Sequence, residues 1–455
     1  MKRNSIIAVC VLILSLLDSE LSAQPGALDI TFNPGTGIGT PYGQSGVGVW
    51  ALALRDDGRI MVAGYFNSVN GQAQGGIARF LSDGIIDTDF SALQGTDMSI
   101  YGIALEPDGR VYIGGNFGSY NGIPRSHLAR LRDDGSLDLV WPNVSFDNTI
   151  RSIRRMTNGS VMVVGDFTQV NGTARHNIAM LNTNASLDMS FDPGSGATDG
   201  TIKAAAVEPG GMVIIAGNFT TFTTNSPVSR KFIARVYPDG SLDPTFDAGF
   251  IGGTEIRSIV LQPDGKVVIG GLFSSVNGYS RNGIARLGTN GLVDTGFVSP
   301  AFLASVIGLA PDNRILASGG LGDYPVVLLN GNGSLYSAFS PKIGSVNAFT
   351  VQPNGKVLVG GDFLTVNGTN ISRIARLNGV NSPPTDLQFM AANNYFGTYL
   401  YGTVSNIYRV EWTSKLGTPS LWTPLFNVTL QTNPQFTLDP HPASGQQFYR
   451  AVELP

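Results

Sequence analysis

One unit of about fifty residues returns seven times between residues 28 and 379. Its turn glycine falls at Gly58, Gly109, Gly159, Gly211 and Gly265, then Asn313 takes its place, then Gly355 follows, at spacings of 51, 50, 52, 54, 48 and 42 residues. In each unit an alternating apolar run leads into a PDG-type turn, and a second apolar run ends in Gly and an aromatic. A loop with NG, the string IARL, a DG turn and LDxxF complete it. A repeat this short cannot bury its apolar face alone, so neighbours must stack and share a core.

The strand pattern is legible in the fifth unit. SIVLQ (258–262) alternates, while KVVIGG (266–271) is continuously apolar, as a strand covered on both faces is. IARL (284–287) and LVDTGF (292–297) predict a second hairpin about Asn290 and Gly291. Each unit thus predicts four short strands, and no stretch beyond the first 23 residues has helical periodicity. Seven such units predict an all-β protein, a seven-bladed β-propeller spanning 24–380. An open solenoid needs atypical capping repeats at its ends, and none is visible. LDITF (28–32) stands before the first unit, while the seventh stops at IARLNG (374–379) before its own LDxxF. The N-terminal segment is therefore expected to supply the outer strand of the last blade and close the ring.

The strings PDGK (263–266), VGGDF (359–363), IARL (374–377) and LDPTF (242–246), with VNG between them, resemble the bacterial delta-60 repeat family. The resemblance covers 28 to about 379. It implies a β-propeller and export, and it brings no shared catalytic residues. NSPPTD (381–386) reads as a linker. The remainder, 387–455, has strand-length apolar runs between turns and predicts a small β-sandwich-like domain, similar to C-terminal modules of exported bacterial proteins.

Charged residues are 14% of the chain, against about 25% in ordinary soluble domains. With a net charge of -4 there is no basic field for nucleic acid or anionic lipid. Lys2 and Arg3 precede an apolar run at 6–17, and Ser22 and Ala23 end it, so residues 1–23 predict a secretory signal peptide. The run is about 18 Å long as a helix, too short for a bilayer core of about 30 Å. A secreted or extracytoplasmic protein is expected, without membrane insertion after cleavage. The single cysteine, Cys10, lies in this run, so the mature chain is expected to have no thiol for disulfides, metals or nucleophilic catalysis.

The Arg of IARL and the Asp of LDxxF sit symmetrically about the DG turn, which places them opposite each other on one face. Arg79 with Asp87, Arg130 with Asp138, Arg235 with Asp243 and Arg286 with Asp294 are read as structural ion pairs, as is Arg376 with Asp29 across the ring closure. In the sixth unit Leu328 and Tyr336 replace both partners, while in the third Met180 faces Asp188. The turn residues Asp57, Asp108 and Asp264 lack the alternating oxygens of a calcium loop and read as turn formers. The glycine pairs open no helix, so they are not phosphate loops. His127, His176 and His441 have no ligand spacing, and neither metal nor cofactor is expected.

The loops after the Gly-aromatic pair share one face, the longer one. Phe66 and Ile77 are 11 residues apart there, Phe219 and Ile233 are 14 apart, and the sixth unit shortens the loop to 320–325. Tyr42, Tyr120, Arg125, His127, Arg175, His176, Tyr279 and Arg281 lie in these loops as candidate binding residues. A monomeric, non-catalytic exported module recognising a carbohydrate or a protein on this face is expected. A glycan hydrolase or lyase would instead need acids converging at the central channel, and a structural envelope role would leave the face featureless. An aromatic shelf at the channel mouth favours binding.

Overall fold

In the computed structural model the described residues are 24–39, 46–223, 229–300, 303–319, 326–339 and 341–379, together with the backbone of the strands between 388 and 453. The expected signal peptide with Cys10, Tyr42, the shortened loop at 320–325, the linker at 381–386 and His441 lie outside them, as do residues 224–228 of the stretched loop. Two compact units are formed. The first holds the described residues up to Leu377 except Gln352–Lys356, which group with the second, from Asn378 on. Among the described residues no helix is long and apolar enough to cross a membrane.

In the first unit seven antiparallel sheets repeat one order, with the second strand in the middle. Their first strands are Gly48–Leu54, Ile100–Leu105, Ile150–Arg155, Ile202–Val207, Ile251–Leu261, Ala304–Leu309 and Val346–Val351. In the second repeat, Val111–Gly115 is buried throughout, flanked by Ile100–Leu105 and Leu128–Leu131. The turn between first and second strands needs a left-handed residue, supplied by Gly109 at φ 92° and in the sixth repeat by Asn313 at φ 66°. Turn carboxylates bond their own backbone: Asp108 Oδ1 accepts the Arg110 N–H at 3.2 Å, and Asp264 Oδ1 accepts the Lys266 N–H at 3.1 Å.

The expected fourth strand is corrected by the structure. LDxxF contributes a single bridge residue, as in Phe80 with Ile86 or Leu287 with Val293, and then turns. The cause is local. Asp243 Oδ1 accepts the Thr245 N–H at 2.8 Å, and in the first repeat the Phe90 N–H reaches the Asp87 carbonyl at 3.3 Å. The aspartate therefore folds the chain back on itself before a ladder can extend.

The loops after the Gly-aromatic pair are ordered as well. In five repeats the NG pair forms a two-residue hairpin turn, with Asn70, Asn121, Asn171, Asn277 and Asn367 at φ between 47° and 51° and a left-handed Gly after each. The asparagine also holds the segment arriving from the preceding repeat. Asn121 accepts the Gly95 N–H on its side-chain oxygen at 2.7 Å and donates its own N–H to the Gly95 carbonyl at 2.7 Å.

No repeat has a core of its own. Ile113 and Phe117 of the second repeat pack with Met61 and Ile77 of the first, and Ile215 and Phe219 of the fourth with Met162 and Ile178 of the third. Leu358 and Ile374 of the seventh share a cluster with Phe32, Val49 and Ile60. Each buried side chain of this size contributes about 1.5–3 kcal/mol, and here almost all of it depends on a neighbour. The N-terminal segment joins the last sheet through a bridge between Leu28 and Leu377, and the Asp29 N–H donates to the Arg376 carbonyl at 2.8 Å. The first strand of the seventh sheet lies against the first strand of the first.

The described strands of the second unit form two three-stranded antiparallel sheets. Tyr395–Leu400 is central between Gln388–Ala392 and Gln435–Leu438, and Ile407–Thr413 is central between Thr423–Thr429 and Phe448–Glu453.

Candidate functional site

Each of the seven first strands carries a β-bulge at the same place. Pairing with the second strand skips one residue: Trp50, Tyr101, Arg151, Lys203, Arg257, Ser305 and Asn347 in chain order. All lie eight residues before the turn glycine or its Asn313 substitute. A bulge frees one residue from the ladder and re-aims its side chain. The glycine ending the second strand makes room for it. A Cβ on Gly115 would overlap the Ser99 carbonyl, and one on Gly165 the Thr149 carbonyl, just ahead of the bulge. The repeated glycines thus answer to steric need rather than to phosphate binding.

The bulged side chains meet their neighbours. The Trp50 and Tyr101 rings are edge to face, 6.2 Å apart at 71°, and the Arg151 guanidinium lies 5.1 Å from the Tyr101 ring centre. Asp166 receives Arg151 Nε at 3.0 Å and Nη2 at 2.5 Å. Glu255 joins Lys203 to Arg257, which donates onward to Ser305 Oγ at 3.1 Å. Burial would raise the Glu255 carboxyl, but Lys203 and Arg257 outweigh it and hold it below the usual range. Asn347 donates to Asp362 Oδ1 at 3.0 Å. The bulged residues are partly exposed, whereas the apolar residue before each is buried. Reading residue types in loops misses this set. The constant eight-residue offset, where otherwise apolar strands carry W, Y, R, K, R, S and N, is the signal that finds it.

The described candidates expected in the loops make local contacts. Tyr120 is fully buried and donates its hydroxyl to the Gly135 carbonyl at 2.6 Å, so it is not presented on that face. Arg125, Arg175 and Arg281 occupy equivalent positions, and each donates Nη1 to the carbonyl just before it, at 2.9, 2.9 and 2.8 Å. Arg230 stands at the same place in the fourth repeat and bonds the Phe246 and Pro244 carbonyls. Arg230 thereby ties its hairpin to LDxxF, and Arg281 Nη2 does so through the Asp294 carbonyl at 3.3 Å. His127 has φ 72°, a site held by Gly76 and Gly283 in other repeats, and burial lowers its pKa. His176 Nδ1 lies 3.1 Å from the Ser195 carbonyl, and Arg281 lies 5.9 Å from the Tyr279 ring, which is exposed.

The arginines of IARL do more than pair. Arg79 Nε is 2.7 Å from Asp87, Arg130 Nη2 2.7 Å from Asp138, Arg235 Nη2 2.7 Å from Asp243, Arg286 Nε 3.0 Å from Asp294 and Arg376 Nε 2.5 Å from Asp29. Each also lies over the aromatic that ends LDxxF: Phe90, Trp141, Phe246, Phe297 and Phe32, at 4.9–5.5 Å. Four of them reach a carbonyl of the following repeat: Asp133 from Arg79, Thr289 from Arg235, Gly331 from Arg286, and Ser82 from Arg376. The exception in the third repeat now has a reason. Asp188 Oδ1 accepts the Ser190 N–H at 2.9 Å, so the turn keeps its aspartate where Met180 has replaced the cation. Among the described residues no group of three or more His, Cys, Asp or Glu is arranged to hold a metal.

Residues 55–90, 106–139, 157–191, 209–246, 262–297 and 352–380 match a family model described as a domain of unknown function (DUF5122) beta-propeller. No curated protein matches the chain in sequence. Among solved structures, PorZ, a surface component of the type-IX secretion system of Porphyromonas gingivalis, is similar at 13% identity and TM-score 0.44, over 87% of this chain. The chain spans 57% of the PorZ chain's length. YCF48 bound to D1 peptide is similar at 14% identity and TM-score 0.44, over 78% of this chain and 99% of that one. The gluconolactonase XC5397 from Xanthomonas campestris is similar at 14% identity and TM-score 0.36, over 61% and 84%. Six matched segments, laid over sheets of one repeated antiparallel order, identify the chain as a β-propeller repeat protein.

Proposed function

We propose that the chain is an exported, non-catalytic binding module: a seven-bladed propeller of the delta-60 type, closed by its N-terminal segment and followed by a small sandwich-like domain. In this reading the bulged residues ring the mouth of the central channel at the hairpin end, and a carbohydrate binds there. Closure is supported by the Asp29 and Arg376 contact and by the shared cluster of Val49 and Leu358. Export is supported by the basic, apolar and small-residue order of the first 23 residues.

The observation that carries the binding reading is the bulge set itself, one aimed polar or aromatic residue per repeat. Trp50 and Tyr101 give a stacking surface, and the polar side chains beyond them suit hydroxyl groups. A hydrolase needs a carboxylic acid and a carboxylate free to act on one bond. Here Asp166 and Glu255 are each tied to cations, which leaves Asp362, raised by burial and accepting from Asn347, without a second free carboxylate among them, and this favours binding.

A glycan array run on the purified mature chain tests this. The wild type is expected to bind a defined subset of glycans, and Trp50→Ala with Tyr101→Ala to lose them while keeping the far-UV spectrum. A silent wild type, or a double variant that binds unchanged, would overturn the proposal.

A further inference from the structure

Five residues before each turn glycine the first strands offer a second shared position. In six repeats it is uncharged, as Ala53, Ala104, Ala206, Val260, Gly308 and Thr350, and in the third it is Arg154. Arg154 Nε donates to the Ala205 carbonyl on the next repeat's first strand at 2.9 Å, and Nη1 donates to the Ile153 carbonyl at 3.0 Å. Ile153 and Ala205 are themselves equivalent positions, so the guanidinium lies along the free edges of adjacent first strands. Nη2 makes no hydrogen bond, and no carboxylate among the described residues pairs with Arg154, although Arg151 on the same strand has Asp166. The side chain is exposed, and the protein packed around its stem lowers its pKa from the ordinary arginine value by desolvation.

A cation placed this way, in a neutral ring and short of a counter-charge, is an anion receiver. Arg151 and Arg154 are three residues apart on one strand, about 10 Å at about 3.3 Å per residue, within reach of a short oligosaccharide. We infer that Arg154 receives the carboxylate of an acidic saccharide whose sugar ring stacks at Trp50 and Tyr101. The inference rests on the binding reading above and names its ligand class. A carboxylate would take the unused Nη2 as a charge-assisted donor and complete the site.

Calorimetric titration of the full mature chain with an oligogalacturonate and with its methyl ester separates the two ideas, because the pair differs in charge at the carboxyl alone. The acid is expected to bind at least about tenfold more tightly, the net worth of one charge-assisted hydrogen bond. Arg154→Gln is expected to erase that difference, and Arg155→Gln, exposed on the same strand, to keep it. Equal affinity for acid and ester overturns the inference while leaving carbohydrate binding intact. Bromide-soaked crystals give a readout that needs no saccharide. An anomalous peak within hydrogen-bonding distance of Arg154 is expected, and its absence overturns the anion site whatever the glycans do.

Discussion

Replacing Asp29 with alanine separates two jobs of one carboxylate. Its Oδ2 faces Arg376 Nε at 2.5 Å, and its Oδ1 accepts the Thr31 N–H at 3.0 Å and the Thr31 hydroxyl at 2.7 Å. Asp188 performs the turn job without the cation, bonding Ser190 in the same way opposite Met180. Losing the turn bonds costs about 1 kcal/mol at either site. Stranding a buried guanidinium costs about 3–5 kcal/mol more. The lower end applies because Arg376 keeps the Ser82 carbonyl, Thr31 Oγ1 and the Phe32 ring. Asp29→Ala is therefore expected to exceed Asp188→Ala by about 3 kcal/mol in urea unfolding followed by tryptophan fluorescence. Arg376→Leu added to Asp29→Leu should recover much of the loss, since both buried charges leave together, as they have at Leu328 and Tyr336. Deleting residues 24–34 should cost more than any of these, because the last sheet then loses its outer segment. Equal destabilisation by Asp29→Ala and Asp188→Ala would refute this reasoning, and a deletion that melts like the chain from residue 24 onward would refute the closed ring.

Burial works to raise the Asp138 and Asp243 carboxyls, but arginine and the turn bonds hold both below the usual range. A lowered folded pKa means stability that is complete above about pH 4, the unfolded aspartate value, and is lost as pH falls through the folded values. Unfolding midpoints across that window should fall, and Asp243→Asn should flatten the fall. Gly115→Ala should cost about 1–3 kcal/mol by driving a Cβ into the Ser99 carbonyl. Gly122→Ala, which meets open space at φ 75°, should cost only the left-handed penalty of about 1–2 kcal/mol, and thermal melts compare the two. His127→Gly should stabilise by about 1 kcal/mol, since it relieves a left-handed histidine whose Nδ1 is buried without a partner. A lower melting temperature for that variant would show that the ring's packing outweighs the backbone strain.

What could be read in the sequence was what the repeat enforces. The turn glycines, the continuously buried second strand and the offset that sets Arg286 opposite Asp294 each follow from a period that returns down the chain. LDxxF looks like a strand because Leu, Val and Phe alternate with polar residues, yet the aspartate's bond to the residue two ahead ends the ladder at one bridge. The bulge is harder still, because a one-residue slip in pairing leaves no mark on an alternating pattern. Choosing Arg125, Arg175 and Arg281 for their charge selected residues that share one position and each fold back onto the carbonyl just before. Trp50, Arg151 and Lys203 are so unlike one another that no motif search groups them. Their common distance from the turn does.

The bulge with its facing glycine also separates what must stay constant from what can vary. The bulged residue makes no ladder pair, so exchanging its side chain leaves the strand pairing in place, and the cost is set by the neighbour it touches, as Glu255 sets it for Lys203 and Arg257. W, Y, R, K, R, S and N already occupy one backbone geometry side by side. The frame therefore behaves as a cassette of seven positions that can be edited without re-pairing the strands, singly where a side chain stands apart and jointly where Glu255 ties Lys203 to Arg257. Point changes at these positions would re-surface the bulges while the strands beneath remain the same.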